Sequence, residues 1–439
     1  VDGIERSGQE AEMIKKPFFG LGKPKLKYTG IEDIEHDIQE IPLSDRVTLL
    51  LKSTEGDLDD LVLSTGVKVR TGERLKLTAS NNRYLTSTAT GTITDISQTK
   101  GYSGQLFISV SIDAEKKDLW DDGFQNKGKE PTPETALSFF LSLPGISDLS
   151  SLIKTDNPLD TIIINGLDQD LLVATNQLIV KNEAENLAEG IDYLKNITGV
   201  NRILFAVPPS LRPEAEKSGV EVKVIEPVYP NAMPRLLMKK LLGITLSPLD
   251  SCEDMGVGVV SAEAVVALRK AFVHRKAPIS KILTVIDKEN RSIGVRARIG
   301  TPVKDILTAL NINLTEGDRL VLGGPMAGRG IYSADTPIRH DTDAIMVQDK
   351  GQVISGSNDP CINCGECIRA CPATLPVNML VRVLENGLYE EAANEYDLLS
   401  CVECGLCSYV CVMRIPMFHY IMLGKHELAL TGVLEESNG

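Results

Sequence analysis

Two short runs of cysteine constrain this chain more than anything else in its 439 residues. Cys361, Cys364, Cys367 and Cys371 stand as C-x2-C-x2-C-x3-C before a proline, and Cys401, Cys404, Cys407 and Cys411 repeat that spacing before Val412. Together the runs use all but one of the nine cysteines. Three thiolates on one tight loop can reach three iron corners of a cubane cluster, while the fourth corner needs a thiolate from elsewhere. The pattern therefore points to two [4Fe-4S] clusters. Zinc takes two cysteine pairs per tetrahedral site and has no use for a third and fourth cysteine at this spacing. Disulfides are disfavoured on the same ground. Asn363, Gly365, Glu366, Glu403, Gly405 and Leu406 fill the loops, where small or polar residues let backbone N–H groups point at sulfur and help set the potential.

In two-cluster ferredoxins the fourth cysteine of each run ligates the other cluster. On that pattern Cys361, Cys364, Cys367 and Cys411 hold one cluster, and Cys401, Cys404, Cys407 and Cys371 hold the second. Crossing of this kind ties the two halves into one unit. Between the runs, Val377, Leu380, Val381 and Leu384 recur at helical spacing, Asn386-Gly387 interrupts them, and Leu388 to Tyr396 resumes the pattern. The cluster domain is expected to be helical. Cys252 stands alone in SPLDSCEDMG and reads as a buried or spare thiol.

The length allows three or four domains, each with its own core. No apolar run approaches the 18 or so residues of a membrane span, and the polar, acidic opening VDGIERSGQE is no signal peptide. Eight cluster thiolates suit a reducing compartment, so the expected location is cytoplasmic. The net charge of -14 disfavours nucleic acid as a partner. Charge is unevenly spread. Met13 to Ile31 carries five lysines and no acid among Phe18, Phe19 and Leu21, a mixture suited to an anionic membrane face, to a partner subunit, or to a solvated arm. Cys361 to Gly439 carries four basic residues against ten acidic ones, so the cluster domain presents a negative face. Acidic ferredoxins would be repelled there, which makes a neighbouring subunit with a basic surface the expected contact.

From Ile41 to Asp113 short β-rich pieces alternate with glycine: VTLLLK, GVKVRTGERLKLT, LTSTATGTITDIS and GQLFISVSID. This arrangement resembles the barrel-sandwich fold of biotinyl and lipoyl carriers. The hairpin tip that bears their modified lysine reads Ala79-Ser80-Asn81-Asn82-Arg83-Tyr84 here, so a docking module is expected rather than a swinging cofactor. Asp121 to Pro133 is a linker by composition. Glu134 to Arg275 alternates the strands TIIIN, RILFAV, EVKVIEP and GVGVV with the helical stretches LLVATNQLIV, AENLAEGIDYLKNI and AEAVVALRKAF, which predicts a largely parallel sheet. Ile282 to Val347 supplies LTVID, SIGVRARIG, a helix around PVKDILTAL, and DRLVLGGPMAGRGI, a β-grasp-like unit. No helix is expected after Gly323 to Gly330, so those glycines read as a turn and not as a phosphate loop.

In this order, with GTPV at Gly300, GGPMAG at Gly323 and the two cysteine runs, the chain resembles the RnfC family of the Rnf complexes from roughly Phe18 onward. That family is related to the flavin-bearing, NADH-oxidising subunit of respiratory complex I. The resemblance implies a multidomain α/β chain: an N-terminal basic arm over 1–40, a barrel-sandwich hybrid domain over 41–115, a Rossmann-like α/β domain over 130–275, a β-grasp (SLBB-like) domain over 276–350, and a helical ferredoxin-like domain with two [4Fe-4S] clusters over 355–435. It also implies a membrane-bound, ion-translocating complex fed by ferredoxin, with this subunit peripheral on the cytoplasmic face.

Four departures fall on the family's flavin site. The glycine-rich loop reads Leu141 to Asp148 with the single glycine Gly145; the acidic motif after the first strand reads Leu167-Asp168-Gln169-Asp170; Tyr229-Pro230-Asn231-Ala232 lacks a glycine; and Ser261 replaces an asparagine. One glycine does not give the close backbone approach that a phosphate needs. FMN and NADH are therefore expected to be absent, which leaves an electron-transfer subunit working through its two clusters alone. The rival readings are an NADH-oxidising flavin subunit with drifted motifs, and an assembly scaffold whose clusters pass no electrons. Among the histidines, His419 and His426 lie near the cysteine runs, and none pairs with another at metal-ligand spacing.

Overall fold

The computed structural model describes residues 24–430 apart from 54–59, 79–82, 102–104, 128–129, 141, 147 and 154–157. Most of the basic N-terminal stretch, the tip of the carrier-like hairpin, Leu141 and Ser147 of the loop with the single glycine, and the last residues of the cluster domain thus lie outside the described residues. From residue 24 onward the stretch expected to be an arm lies on the body of the protein. Tyr28 and Ile31 are buried, and β1 (Gln39–Glu40) pairs with a strand more than 250 residues later.

A β-rich unit follows. Strands β2 (Arg46–Lys52), β3 (Lys68–Val69), β4 (Arg74–Lys76), β5 (Tyr84–Thr86), β6 (Gly91–Lys100) and β7 (Leu106–Ala114) form an antiparallel sheet in the order β2-β7-β6-β3, with β4 and β5 as a separate hairpin pair. Val47, Leu49, Ile93, Ile108, Val110 and Ile112 fill its core. The segment expected to be a linker is partly structural: α1 (Gly123–Lys127) brings Phe124 against Phe139, Phe140 and Phe272, with ring centroids 4.8, 5.1 and 5.7 Å away. Phe139 ends α2 (Pro133–Phe139), whose first turn is capped by the Thr132 side chain.

The next unit holds β8 (Thr161–Asn165), α3 (Thr175–Asn182), α4 (Ala184–Thr198), β9 (Arg202–Val207), α5 (Arg212–Glu216), β10 (Glu221–Val224), α6 (Pro234–Leu242), β11 (Val257–Ser261) and α7 (Ala262–His274). Its four strands are parallel in the order β10-β9-β8-β11. Every residue of β8 is buried, as expected of a parallel strand covered on both faces. Helix α3 begins four residues later than its apolar pattern, because Leu172 has φ of 61° and the Asp168 carboxylate accepts from the Asn176 N–H at the helix start.

The third sheet combines β1 with β12 (Ser280–Ile286), β13 (Ser292–Arg298), β14 (Arg319–Leu322), β15 (Arg329–Ile331) and β16 (Ala344–Gln348), in the order β1-β13-β12-β16-β14-β15, with α8 (Val303–Ala309) after β13. Gly323 to Gly328 forms the turn between β14 and β15, and no helix opens there. One buried charge group joins this sheet to the parallel one. Lys281 on β12 is fully buried and donates to Glu263 of α7 and, at 3.1 Å, to Asp343. Burial alone would push its ammonium towards neutrality, but the two carboxylates outweigh that and hold it charged. Removing one partner from such a group leaves an uncompensated charge.

Helices α9 (Glu366–Ala370), α10 (Val377–Glu385), α11 (Tyr389–Asn394), α12 (Leu406–Tyr409) and α13 (Met417–Leu430) follow among the described residues and hold the cysteines around a core of Leu380, Val381, Leu384, Leu398 and Ile421. The helical expectation for this region holds. Among the described residues no helix is long and apolar enough to cross a membrane.

Candidate metal centre

The two cysteine runs fold as one motif used twice, 40 residues apart. Asn363 and Glu403 take φ of 56° and 59°, Gly365 and Gly405 take 77° and 70°, and Thr374 and Arg414 take 59° and 56°. Those left-handed residues curl each loop so that its amides turn towards sulfur. The N–H groups of Asn363 and Glu403 donate to Cys361 and Cys401 Sγ, and those of Leu375 and Ile415 to Cys371 and Cys411 Sγ, each at 3.4 Å. Amides aimed at sulfur are the usual way a protein steadies a cluster thiolate.

The grouping of the side chains crosses between the runs. Cys361, Cys364 and Cys367 line one small cavity together with Cys411 of the second run. Burial pushes the thiols of Cys401 and Cys407 up and that of Cys404 to about 12, and in each case Cys371 of the first run is near enough to add to the cost of ionisation. Cys367 is raised to about 11, again mainly by burial, with Cys411 among the neighbours that contribute. Thiols like these keep their protons at neutral pH unless a cation replaces them, so metal binding here should release protons. A donor set of four cysteines on each side, with amides on the sulfurs, fits an iron–sulfur cluster.

The two halves differ in their surroundings. Behind the second run, the Tyr229 hydroxyl donates to the Cys404 carbonyl at 2.7 Å, and Lys425 Nζ donates to the Cys401 carbonyl at 2.8 Å and to Glu403 at 2.9 Å. Gly405 meets the GGPMAG turn so closely that a Cβ there would lie 2.3 Å from the Met326 carbonyl oxygen. That turn is in turn held by Asp170, which accepts from the Met326 and Ala327 N–H groups at 3.1 and 2.8 Å. The first run has a more open setting. Ile362 and Val412, on the rim of its cavity, are 51% and 55% exposed. A cleft of about 520 Å³ opens beside the second run, between Cys401, Glu403, Lys425, the glycine turn and the loop at Gln169.

The positions that departed from a flavin site are engaged internally. Leu143 and Ile146 exchange backbone hydrogen bonds around Gly145, whose N–H donates to the His340 carbonyl and whose carbonyl accepts from Ser261 Oγ at 3.0 Å. Ser261 also caps α7. Asn165 is spent on Ala232 and Leu167, Asp168 on Asn176 and Gln177, and Asp170 on the glycine turn. Among the described residues, these polar groups are engaged with one another and with the neighbouring backbone.

The parts that sequence reasoning missed are the long-range ones. Tyr229 registered there only as part of a motif lacking its glycine, and Lys425 only as one of the four basic residues, with Arg369, Arg382 and Arg414, of an acidic stretch. Comparing the two 40-residue copies position by position would have drawn attention to Lys425. Cys252 is buried, and burial raises its thiol to about 11, as suits a spare core residue.

Residues 354–412 match the family described as 4Fe-4S dicluster domain. Over 430 residues the chain is 25% identical to the C subunit of the ion-translocating oxidoreductase complex of Pectobacterium carotovorum, covering 93% of this chain and 57% of that protein. It is 26% identical over 434 residues to the C subunit of the proton-translocating ferredoxin:NAD(+) oxidoreductase complex of Clostridium ljungdahlii, covering 94% and 93%. The chain spans about three-fifths of the length of several curated relatives it matches. Among solved structures it is similar to a chain of an NAD+-reducing [NiFe]-hydrogenase in the H2-reduced state, with TM-score 0.43, 14% identity, and 65% and 62% of the two chains covered. Likeness at that level says nothing about chemistry. Through nine-tenths of its length the chain is similar to these C subunits of ion-translocating oxidoreductase complexes, and its own cysteine region matches a 4Fe-4S dicluster domain.

Proposed function

We propose that this chain is an electron-transfer subunit of a membrane-bound, ion-translocating Rnf-like complex, relaying electrons through two [4Fe-4S] clusters between a ferredoxin-fed partner subunit and a membrane-side acceptor. The observation that carries the reading is the crossed grouping of cysteines. It supports Cys361, Cys364, Cys367 and Cys411 as ligands of one cluster and Cys401, Cys404, Cys407 and Cys371 as ligands of the other. Clusters bound there supply one-electron transfer. The chain's own residues hold them: four amides steady the sulfurs, Tyr229 and Lys425 fix the second loop, and α10 and α13 keep water from the shared core.

The subunit works without its own flavin or NADH, because the groups that would bind them are occupied by one another. The order of its parallel strands supports a Rossmann-like domain over 130–275 kept as a frame, flanked by a barrel-sandwich domain over 41–115 and a β-grasp domain over 276–350, with the ferredoxin-like domain over 355–435. It sits peripherally on the cytoplasmic face, and its acidic cluster domain meets a neighbouring subunit, with ferredoxin acting on it only indirectly.

Chemical analysis of the purified protein tests this. About eight iron atoms per chain are expected, with no flavin released on denaturation. Cys371→Ala should damage the cluster held by the second run and Cys411→Ala the other. Zinc in place of iron, or loss of the same cluster in both variants, would refute the ligation; stoichiometric flavin would refute its absence.

A further inference from the structure

The repeated motif provides an internal control, because each position of the first half has a counterpart in the second. Lys425 lies 24 residues after Cys401, and its Nζ rests on the Cys401 carbonyl at 2.8 Å. The same step from Cys361 arrives at Glu385, the last residue of α10, whose side chain is exposed. At this position one copy thus places a largely buried cation on the carbonyl of its first cysteine where the other carries a carboxylate. Lys425 is largely withdrawn from water, with its side chain 18% exposed, so solvent and salt screen its charge only weakly. Its partner Glu403 offsets part of that charge. Glu403 is more exposed, at 38%, and is shared with Arg329 at 4.0 Å.

The reduction of a cysteine-ligated cluster adds one negative charge to a site that is already anionic, and the potential follows the net charge and hydrogen bonds around the sulfurs. A nearby ammonium favours the reduced form. We propose that Lys425 is a positioning residue that sets the two clusters apart in potential, raising that of the cluster held by Cys401, Cys404, Cys407 and Cys371 relative to its counterpart. In the first half the nearest counterpart is Arg369, which donates to the Cys364 carbonyl at 3.1 Å but is 44% exposed and paired with Glu366, so water and salt screen its charge more than that of Lys425. Electrons therefore come to rest on the cluster beside the cleft, with the open first half as the point of passage.

This inference rests on the proposed cluster ligation, and one experiment separates the two. Electron paramagnetic resonance of the full-length protein during a redox titration should resolve two midpoints. In Lys425→Gln one midpoint should fall, by about tenfold in the reduced-to-oxidised ratio at fixed poise, or about 59 mV for a one-electron couple, while the other stays in place. Glu403→Gln, which removes the opposing carboxylate, should raise that same midpoint, and Lys425→Arg should restore it. Wild-type protein with fewer than two clusters would refute the ligation instead. Two intact clusters whose midpoints ignore both glutamine variants, or move together, would overturn the role of Lys425. Should Lys425→Gln fail to hold its cluster, the Glu403→Gln shift decides alone.

Discussion

At the scale of single residues, Gly405 shows how the two copies of one motif have come to differ. Both Gly365 and Gly405 occupy the left-handed region, where a side chain costs about 1–2 kcal/mol. A Cβ on Gly365 would meet only the end of the Arg369 side chain, 3.3 Å away, whereas one on Gly405 would meet backbone at 2.3 Å. Gly365→Ala should therefore lose only that modest stability and keep its iron, while Gly405→Ala should push the glycine turn away and lose roughly half the iron, as colorimetric iron assay would show. Two titrating residues make a matched pair. Burial holds the Asp168 carboxyl at about 6, above its ordinary 3.8, so the native state keeps that proton longer and gains stability as pH falls from about 6 towards 4. His340 is the reverse: withdrawal from water lowers it from 6.5 to about 4, so the unfolded chain takes up a proton first and stability is lost over the same descent. Between pH 7 and pH 5, Asp168→Asn should lose more stability than wild type and His340→Gln less, each by on the order of 1 kcal/mol in urea unfolding.

At the scale of elements, legibility followed the range of the forces involved. The cysteine spacing was readable because a cubane imposes it locally, and β8, β9 and β11 were readable because apolar runs have few alternatives in a parallel sheet. Residues whose role depends on a distant partner were not readable. Nothing near Tyr229 announces the Cys404 carbonyl 175 residues away, and nothing near Lys281 announces Glu263 and Asp343. The segment at Asp121 to Pro133 has the glycine, lysine and proline of a linker, yet one aromatic residue makes α1 part of the core. Phe124→Ala should cost about 3–5 kcal/mol in thermal or chemical unfolding, as truncation of a buried aromatic does. A loss under about 0.5 kcal/mol would restore the linker reading.

At the scale of the whole molecule, the cluster domain is held mainly by one of its halves, with Ala370 of the other half in the same core. Asp170 secures the glycine turn, the turn abuts Gly405, and Tyr229 and Lys425 anchor the second cysteine loop, so the parallel sheet, the six-stranded sheet and that loop form one continuous support. The first loop projects from it with Ile362 and Val412 exposed. On the proposed ligation this seating also governs how the protein is made and damaged. The second cluster, with Cys404 and Cys407 buried and Cys401 on the cleft, is approached through that cleft between Glu403 and Lys425. The first remains within reach of a scaffold that delivers iron and sulfide, and equally of oxygen and chelators, so injury begins there and repair needs no unfolding.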